Sequence, residues 1–220
     1  MKKKTVALCV LSYNGFDIVR KCLESLLSQV GDFSLKIIVC DNGSTDGTFK
    51  MLKNEFKDCI LIKNKKNQSF TSSYNNMIKK VNADYYGIIS NDIVFPKKNI
   101  VQKIVNHFGM HENIGMIAPK SIRPDGKVDI IRKNEFTLWE IFESFTFFGF
   151  ILKIFEARKN KTIKSQNETS ISEVLQDSSL FVSQDAIKSK NLFNEKLKFY
   201  FTEDQISVDC RRSNFKLLYV

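Results

Sequence analysis

Proline, histidine and tryptophan are scarce in this 220-residue chain, which has 3, 2 and 1 of them. The low proline content argues against a proline-rich linker or a long disordered tail. The two histidines, His107 and His111, lie four residues apart in a predicted helix, a spacing that can bind a metal ion. We interpret them as surface residues, because neither an acidic residue nor a third ligand accompanies them.

The cysteines do not form a recognisable disulfide or zinc pattern. They are odd in number, at five, and their spacings match no zinc motif. We expect all of them to be reduced, which favours a cytoplasmic protein. The basic start of the chain is followed by an apolar run, Val6–Leu11, that is too short for a secretory signal.

Positive charge is in excess, with a formal net charge of +10. A basic surface attracts anions such as nucleic acid, anionic lipid or phosphorylated small molecules, and it is equally consistent with solubility alone. Basic residues are spread thinly and no aromatic-interleaved RNA-binding motif is found, so we expect no nucleic-acid partner.

Apolar runs and amphipathic segments alternate along the first half of the chain. The predicted strands are Thr5–Leu11, Ser34–Cys40, Ile60–Lys63 and Tyr85–Ser90, and the predicted helices are Phe16–Leu27, Thr48–Phe56 and Ser72–Val81. This alternation predicts an α/β fold with a mostly parallel central sheet flanked by helices. Further along we predict a helix at Pro96–His111, a turn at Arg123–Gly126, strands at Gly115–Pro119, Ser178–Val182 and Phe215–Val220, and a short helix at Asp185–Ser189.

Polar residues follow four of the predicted strands. They fall at Ser12–Asn14, Asp41–Asp46, Asn67–Ser69 and Ser90–Asp92. Ligands of open α/β sheets bind beyond the carboxyl ends of the strands, so these four clusters predict one shared site.

The segment Asp41–Gly47 (DNGSTDG) carries the clearest chemistry. Asp41 ends a strand, where its carboxylate can accept hydrogen bonds from a planar N–H group such as that of a pyrimidine. The two glycines allow a tight turn, and Ser44 or Asp46 can cap the next helix. An ordinary capped strand–turn–helix would have the same features.

Asp92, in Ser90-Asn91-Asp92, follows a buried strand in the same way. One protein carboxylate plus a diphosphate is a plausible site for Mg²⁺ or Mn²⁺, which often retain substrate phosphates as ligands. The alternative is a loop aspartate that caps the helix near Pro96.

These motifs resemble those of the family-2-type inverting glycosyltransferases, which have the GT-A nucleotide-diphospho-sugar transferase fold. Asp41–Gly47 looks like the strongest signature of that family. Lys66–Phe70 with Asn75 looks like its Asn-x-Gly-Phe segment, with Ser69 in place of the glycine. Ala118–Lys120 with Asp125-Gly126 is similar to the branch that includes bacterial rhamnosyltransferases.

The resemblance implies a role for particular residues. It implies that Asp92 bridges the metal, that Asp204 or Glu203 is the catalytic base, with Asp204 favoured, and that Asp177 contacts the donor sugar or acceptor. The alternatives are that Glu203-Asp204 is a solvated helix start and that Asp177 is a helix cap. The residues implied at the nucleotide are Ser12, Asn14, Asp41, Ser44, Asn67, Asn75 and Asn91. Ser90, Gln205 and Ile206 depart from the acidic residues of the family.

The expected function is transfer of a sugar, with inversion, from a nucleoside-diphosphate sugar to a hydroxyl of a cell-surface glycan or lipid-linked acceptor. The departures leave a catalytically inactive nucleotide-sugar-binding domain as the alternative. A nucleotidyltransferase is disfavoured because Ser12–Gly15 lacks a glycine-rich, basic phosphate loop.

We expect one catalytic domain over residues 1–220, with a nucleotide-binding half at 1–95 and an acceptor and catalytic half at 96–220. An aromatic and basic insert spans 136–172. Its stretch Phe136–Phe155 either packs as a helix on the acceptor side or lies on a membrane beside the basic run Arg158–Lys164. Peripheral contact with the inner face of the cell membrane therefore remains open. A homodimer is a separate open alternative. Arg158–Ser172 is expected to be a loop.

Overall fold

The computed structural model describes residues 3–128, 169–175, 178–187, 191–198 and 201–220. These residues form eight strands, five α-helices and two short 3₁₀ helices, the latter at Gln184–Ala186 and Glu195–Leu197. The strands are β1 (Lys4–Ser12), β2 (Phe33–Asp41), β3 (Ile60–Lys63), β4 (Tyr85–Ser90), β5 (Ile114–Ala118), β6 (Ser170–Ser172), β7 (Ser179–Ser183) and β8 (Lys216–Tyr219). The α-helices are α1 (Phe16–Leu27), α2 (Thr48–Glu55), α3 (Phe70–Ile78), α4 (Ile100–Met110) and α5 (Thr202–Arg212).

All eight strands join one sheet in the order β3-β2-β1-β4-β7-β5-β8-β6. β1 pairs in parallel with both β2 and β4, and β2 pairs in parallel with β3. β7 is antiparallel to its neighbours β4 and β5, and β6 is antiparallel to β8. β5 is parallel to β8, so four of the seven strand pairs among the described residues are parallel, which confirms the predicted mostly parallel sheet. The carboxyl ends of β1, β2, β3 and β4 lie along one edge.

Helices cover both faces of the sheet. α3 and α5 pack on one face, together with the strand residues Ala7 and Cys9. α1, α2 and α4 pack on the other face, together with Val6 and Leu8. Because successive strand residues point to opposite faces, the double covering explains why these strands are continuous apolar runs.

The observed elements differ from the prediction mainly in the second half. β6, Ser170–Ser172, forms within the segment expected to be a loop, because it pairs with β8. The strand was not predicted, since three residues are too few to show an apolar alternation. The short helix expected at Asp185–Ser189 is a 3₁₀ turn at Gln184–Ala186. The Arg123–Gly126 turn is confirmed, since the Gly126 amide donates to the Arg123 carbonyl at 2.9 Å. The Phe136–Phe155 and Arg158–Lys164 stretches lie outside the described residues.

The five cysteines are all free and buried. Burial raises the pKa of the Cys22 and Cys40 thiols to about 12, so both behave as small apolar side chains in the core. Within the described ranges, no helix has the length and apolar character needed to cross a membrane.

Candidate functional site

The ends of β1 and β2 meet at a pair of buried polar residues. Ser12 and Asp41 are partners in the strand register and are 1% and 0% exposed. The Ser12 Oγ and Asp41 Oδ1 atoms are buried and have no hydrogen-bond partner among the described residues. A buried polar atom without a partner is costly, so two such atoms side by side indicate a place where a ligand supplies the missing bonds.

The turn after Asp41 is held by hydrogen bonds to the loop after β1. The Asn14 amide donates to Ser44 Oγ at 2.9 Å, and the Thr45 amide donates to Asn14 Oδ1 at 2.8 Å. The Ser44 amide donates to Asp41 Oδ2 at 3.3 Å, which leaves the other carboxylate oxygen for a ligand. Asn14 is therefore placed at the predicted site, where it fixes the shape of the Asp41–Gly47 turn.

Gly43 allows this turn to pass close to the neighbouring loop. It has a φ of +86°, and a Cβ at this position would lie 2.9 Å from the Lys66 carbonyl carbon. Both a left-handed backbone and a contact with main chain require glycine here. Helix α2 follows, with Gly47 at its N-cap position. Asp46, and not Ser44, bonds the start of this helix, because Asp46 Oδ1 accepts from the Thr48 amide at 3.0 Å. The Thr48 hydroxyl bond also lowers the pKa of Asp46.

Asn42 joins the ends of β2 and β3. It is 3% exposed, and its side-chain nitrogen donates to Asn67 Oδ1 at 2.7 Å and to the Gln68 carbonyl at 3.0 Å. Its side-chain oxygen accepts from Asn64 Nδ2 at 2.8 Å and from the Gln68 amide at 2.9 Å. The full bonding capacity of the amide is thus used to fix the loop after β3. This role was not predicted from the sequence, although asparagines that recur at the ends of predicted strands indicate such a network.

The end of β4 lies against the end of β1. A Cβ placed on Gly15 would lie 3.0 Å from Asn91 Nδ2 and 3.5 Å from Ser12 Oγ, so Asn91 lies close to the buried pair. The next residue, Asp92, is exposed to solvent.

Asp92 offers one hard oxygen ligand of the kind that Mg²⁺ or Mn²⁺ prefers. In the part of the chain that the structure describes, no group of three or more histidine, cysteine, aspartate or glutamate residues could hold a metal ion. Among the described residues, Asp92 thus offers one ligand to a cation, and no all-protein metal cage is present.

Two carboxylates occupy the first turn of α5. Glu203 and Asp204 are half-buried, and Glu203 Oε2 accepts from the Thr202 hydroxyl at 2.8 Å. Carboxylates are favoured in the first turn of a helix, where the free N–H groups carry partial positive charge. From the sequence, a helix start at this pair was only the alternative interpretation, because the segment has few apolar positions. Asp177 lies outside the described residues.

Asn75 is in a different environment from the one that the family resemblance implied. It is 0% exposed, and its amide bonds the main chain of Phe193 and the carboxylate of Glu195. Its polar atoms are thus engaged within the protein rather than directed at the strand ends. Asn67, which is exposed, does lie at the strand ends, where it bonds Asn42.

Solved structures share this architecture over almost the whole chain. S. aureus TarS matches with a TM-score of 0.69 and 13% identity, over 98% of this chain and 35% of TarS. The mannosyltransferase PcManGT from Pyrobaculum calidifontis, solved in complex with GDP-Man and Mn²⁺, matches with a TM-score of 0.65 and 12% identity, over 100% of this chain and 57% of that chain. TarS residues 1–349 have also been solved in complex with UDP-GlcNAc. At this level of identity the likeness shows the fold, which is the expected GT-A fold.

Sequence relatives are more limited in extent. The E. coli enzyme WfaP, a UDP-Glc:alpha-D-GlcNAc-diphosphoundecaprenol beta-1,3-glucosyltransferase, is 30% identical over 111 residues, or 50% of this chain and 43% of WfaP. The chain spans between 13% and 43% of the length of the curated relatives it matches. The sequence model of glycosyl transferase family 2 matches residues 7–186, which is most of the chain. The chain therefore belongs to glycosyl transferase family 2.

Proposed function

We propose that this chain transfers a sugar from a nucleoside-diphosphate sugar to a hydroxyl group of a glycan or lipid-linked acceptor, with inversion at the anomeric carbon. Family membership supports sugar transfer. The donor, the acceptor and the stereochemistry are our proposals, and a rhamnosyltransferase branch stays a prediction.

The observation that carries the proposal is the buried pair of Ser12 Oγ and Asp41 Oδ1. In this proposal, Asp41 accepts a hydrogen bond from an N–H group of the nucleotide base, and Ser12 bonds the base or ribose. Asn14, Ser44 and Asn91 lie beside the pair, and in this proposal they line the space that the base and ribose occupy. Pairing with a ligand would relieve the cost of two buried polar atoms, which gives the nucleotide a physical reason to bind here.

The catalytic step needs one base. Asp204 takes the proton of the acceptor hydroxyl as its oxygen forms a bond to the anomeric carbon. The bond between that carbon and the diphosphate oxygen breaks on the opposite side, and the nucleoside diphosphate leaves with the electron pair. A single displacement of this kind inverts the configuration. Glu203, whose carboxylate accepts from the Thr202 hydroxyl, is assigned the supporting role.

Asp92 would hold a Mg²⁺ or Mn²⁺ ion together with the diphosphate. When bound, this cation supplies positive charge that stabilises the leaving diphosphate. The exposure of Asp92 is consistent with such a role, because a shared cation needs room for water and phosphate ligands. That PcManGT was solved with Mn²⁺ supports the choice of metal.

The relative WfaP supports a lipid-linked acceptor, because it transfers glucose to a diphosphoundecaprenol-linked sugar. Such an acceptor would bring the enzyme to the inner face of a membrane through peripheral contact. Flotation with vesicles of anionic phospholipid tests the contact, and absence of the protein from the vesicle fraction would remove this part of the proposal.

Turnover of radiolabelled UDP-GlcNAc, UDP-Glc, GDP-Man and dTDP-rhamnose, each with Mn²⁺, tests the proposed reaction. We expect release of labelled sugar from at least one donor, and loss of release in Asp204→Asn. Donor binding without release from any of them would favour the alternative, a catalytically inactive nucleotide-sugar-binding domain. Absence of both binding and release would contradict the proposal as a whole.

A further inference from the structure

A short turn, Phe193–Glu195, lies between helix α3 and helix α5, and the first turn of α5 carries the proposed base Asp204. Asn75, on α3, binds both main-chain polar groups of Phe193: its Nδ2 donates to the carbonyl at 2.9 Å, and its Oδ1 accepts from the amide at 3.0 Å. Asn75 Nδ2 also donates to Glu195 Oε1 at 3.0 Å. One buried side chain therefore fixes the main chain of this turn in the way a neighbouring strand would.

The same turn is bonded from its other side by α5. The Asn194 amide donates to Gln205 Oε1 at 2.9 Å, and Gln205 Nε2 donates to the Asp209 carboxylate. Gln205 directly follows Asp204, the proposed base, in the first turns of the helix. A side chain that departs from the acidic pattern of the family thus anchors the helix to the turn.

The beginning of α3 continues into the donor side. Ser69 caps this helix by accepting from the Ser72 amide at 3.3 Å, and its neighbour Gln68 is bonded by Asn42 at the end of β2. The ring of Phe70 packs edge-on against Phe193, with 5.4 Å between the ring centroids. The turn therefore contacts α3 at Asn75 and at Phe70. Phe70 directly follows the loop after β3, residues 64–69, which we call the donor loop.

We propose that Asn75 and Gln205 are positioning residues, which hold the Phe193–Glu195 turn as a bracket between the donor loop and α5. The bracket places the Asp204 carboxylate relative to the bound donor without touching the substrate. This inference rests on the proposed function, and it replaces the nucleotide contact that the family resemblance implied for Asn75. An error of about 1 Å in such positioning can cost about 100-fold in rate.

Asn75→Ala and Gln205→Leu test the bracket, with Tyr86→Phe as the matched control. Tyr86 is 2% exposed, and its hydroxyl bonds Val81 and Ala83 outside the bracket. The readouts are kcat for donor hydrolysis and Kd for UDP-GlcNAc and GDP-Man. Both bracket variants are expected to lose about 10- to 100-fold in kcat, with Kd changed by less than about twofold. Tyr86→Phe is expected to lower Tm and leave kcat unchanged.

Gln205→Glu keeps an acceptor oxygen for the Asn194 amide, but it loses the donor to Asp209 and places a like charge beside that carboxylate. Its kcat is therefore expected to fall between the values of wild-type protein and Gln205→Leu. The proposal is overturned if Asn75→Ala weakens Kd as much as kcat, since that pattern indicates a nucleotide contact. It is equally overturned if both bracket variants lower Tm and leave kcat unchanged. Gln205 is only half-buried, so Gln205→Leu keeps the test valid if Asn75→Ala fails to fold.

Hydrogen exchange separates failure of the bracket from failure of the proposed function. In Gln205→Leu we expect faster exchange at the Asn194 amide and in the first turn of α5, and unchanged exchange in the Asp41–Gly47 turn. Wild-type protein that hydrolyses no donor would contradict the proposed function alone. Unchanged exchange at Asn194 and in α5 would contradict the bracket, whatever the turnover result.

Discussion

The Asp41–Gly47 turn and the first turn of α5 both present carboxylates, but they are built in different ways. Asp41 is completely buried, with one carboxylate oxygen unpaired, in a turn whose bonds come from residues at adjacent strand ends. Glu203 and Asp204 are half-buried, on helix α5. That helix bonds the Asn194 amide through Gln205, and the adjacent Phe193 is bonded by Asn75 of α3. A rigid, buried acid suits recognition of a fixed ring, and a more accessible acid suits transfer of a proton. Substitutions in each turn should separate these two roles.

The largest effect is expected at the catalytic helix. Asp204→Asn removes the proton acceptor that we propose and keeps the shape of the side chain, so turnover should fall by about 100- to 10,000-fold. Donor Kd should stay the same, because in the proposed reaction Asp204 contacts the acceptor hydroxyl and not the nucleotide. Glu203→Gln is the matched control and should lose far less activity. A larger loss in Glu203→Gln than in Asp204→Asn would exchange the two roles.

At the buried pair, the effect should fall on binding. Asp41→Asn leaves one side-chain acceptor oxygen where two N–H groups, those of Ser44 and of the nucleotide base, each need one. Donor Kd should weaken by about 10- to 100-fold, the loss of one hydrogen bond to a charged group. Titration of the donor that wild-type protein turns over measures the change.

The same variant should not be less stable than wild-type protein without ligand, because it removes a buried, incompletely paired carboxylate. Ser12→Ala should likewise leave Tm unchanged, since its hydroxyl has no described partner. A fall of Tm in both variants, together with unchanged Kd, would mean that these residues serve the fold and not the donor.

The next effect separates backbone contact from backbone conformation within the turn. Gly43 and Gly47 both have positive φ, of +86° and +91°. Alanine at either position should cost about 1–2 kcal/mol for the left-handed conformation. Alanine at Gly43 should cost more than at Gly47, because its Cβ would also meet the Lys66 main chain at 2.9 Å, whereas at Gly47 the nearest atom is a Phe16 ring carbon at 4.0 Å. Urea unfolding measures both, and equal costs would show that the loop contact is unimportant.

The smallest effect is expected away from both regions, at His107 on α4. Burial, with His111 and Lys103 nearby, lowers the pKa of His107 below its usual value of 6.5. The unfolded chain then binds the proton more readily than the folded one, so stability should fall as the pH drops below about 6.5. His107→Gln should flatten the dependence of Tm on pH between about 5 and 7. An unchanged pH profile would assign the effect to other groups.

Sequence reasoning predicted what is local in these two regions. The strand and the tight turn of Asp41–Gly47 were predicted from neighbouring residues, and both glycines of the turn have a left-handed backbone. The direction of β7 and the pairing of β6 could not be predicted, because antiparallel partners are chosen by packing across the sheet. The bracket was also missed, because Asn75 and Phe193 are 118 residues apart in the chain.

The central claim is that a nucleoside-diphosphate sugar binds at the ends of β1 and β2. Thermal-shift titration of wild-type protein and Asp41→Asn with UDP-, GDP- and dTDP-sugars, with and without Mn²⁺, tests it most directly. We predict that at least one donor raises the Tm of wild-type protein, that Mn²⁺ increases the shift, and that Asp41→Asn reduces it strongly. No shift with any donor, or an equal shift in Asp41→Asn, would contradict the claim.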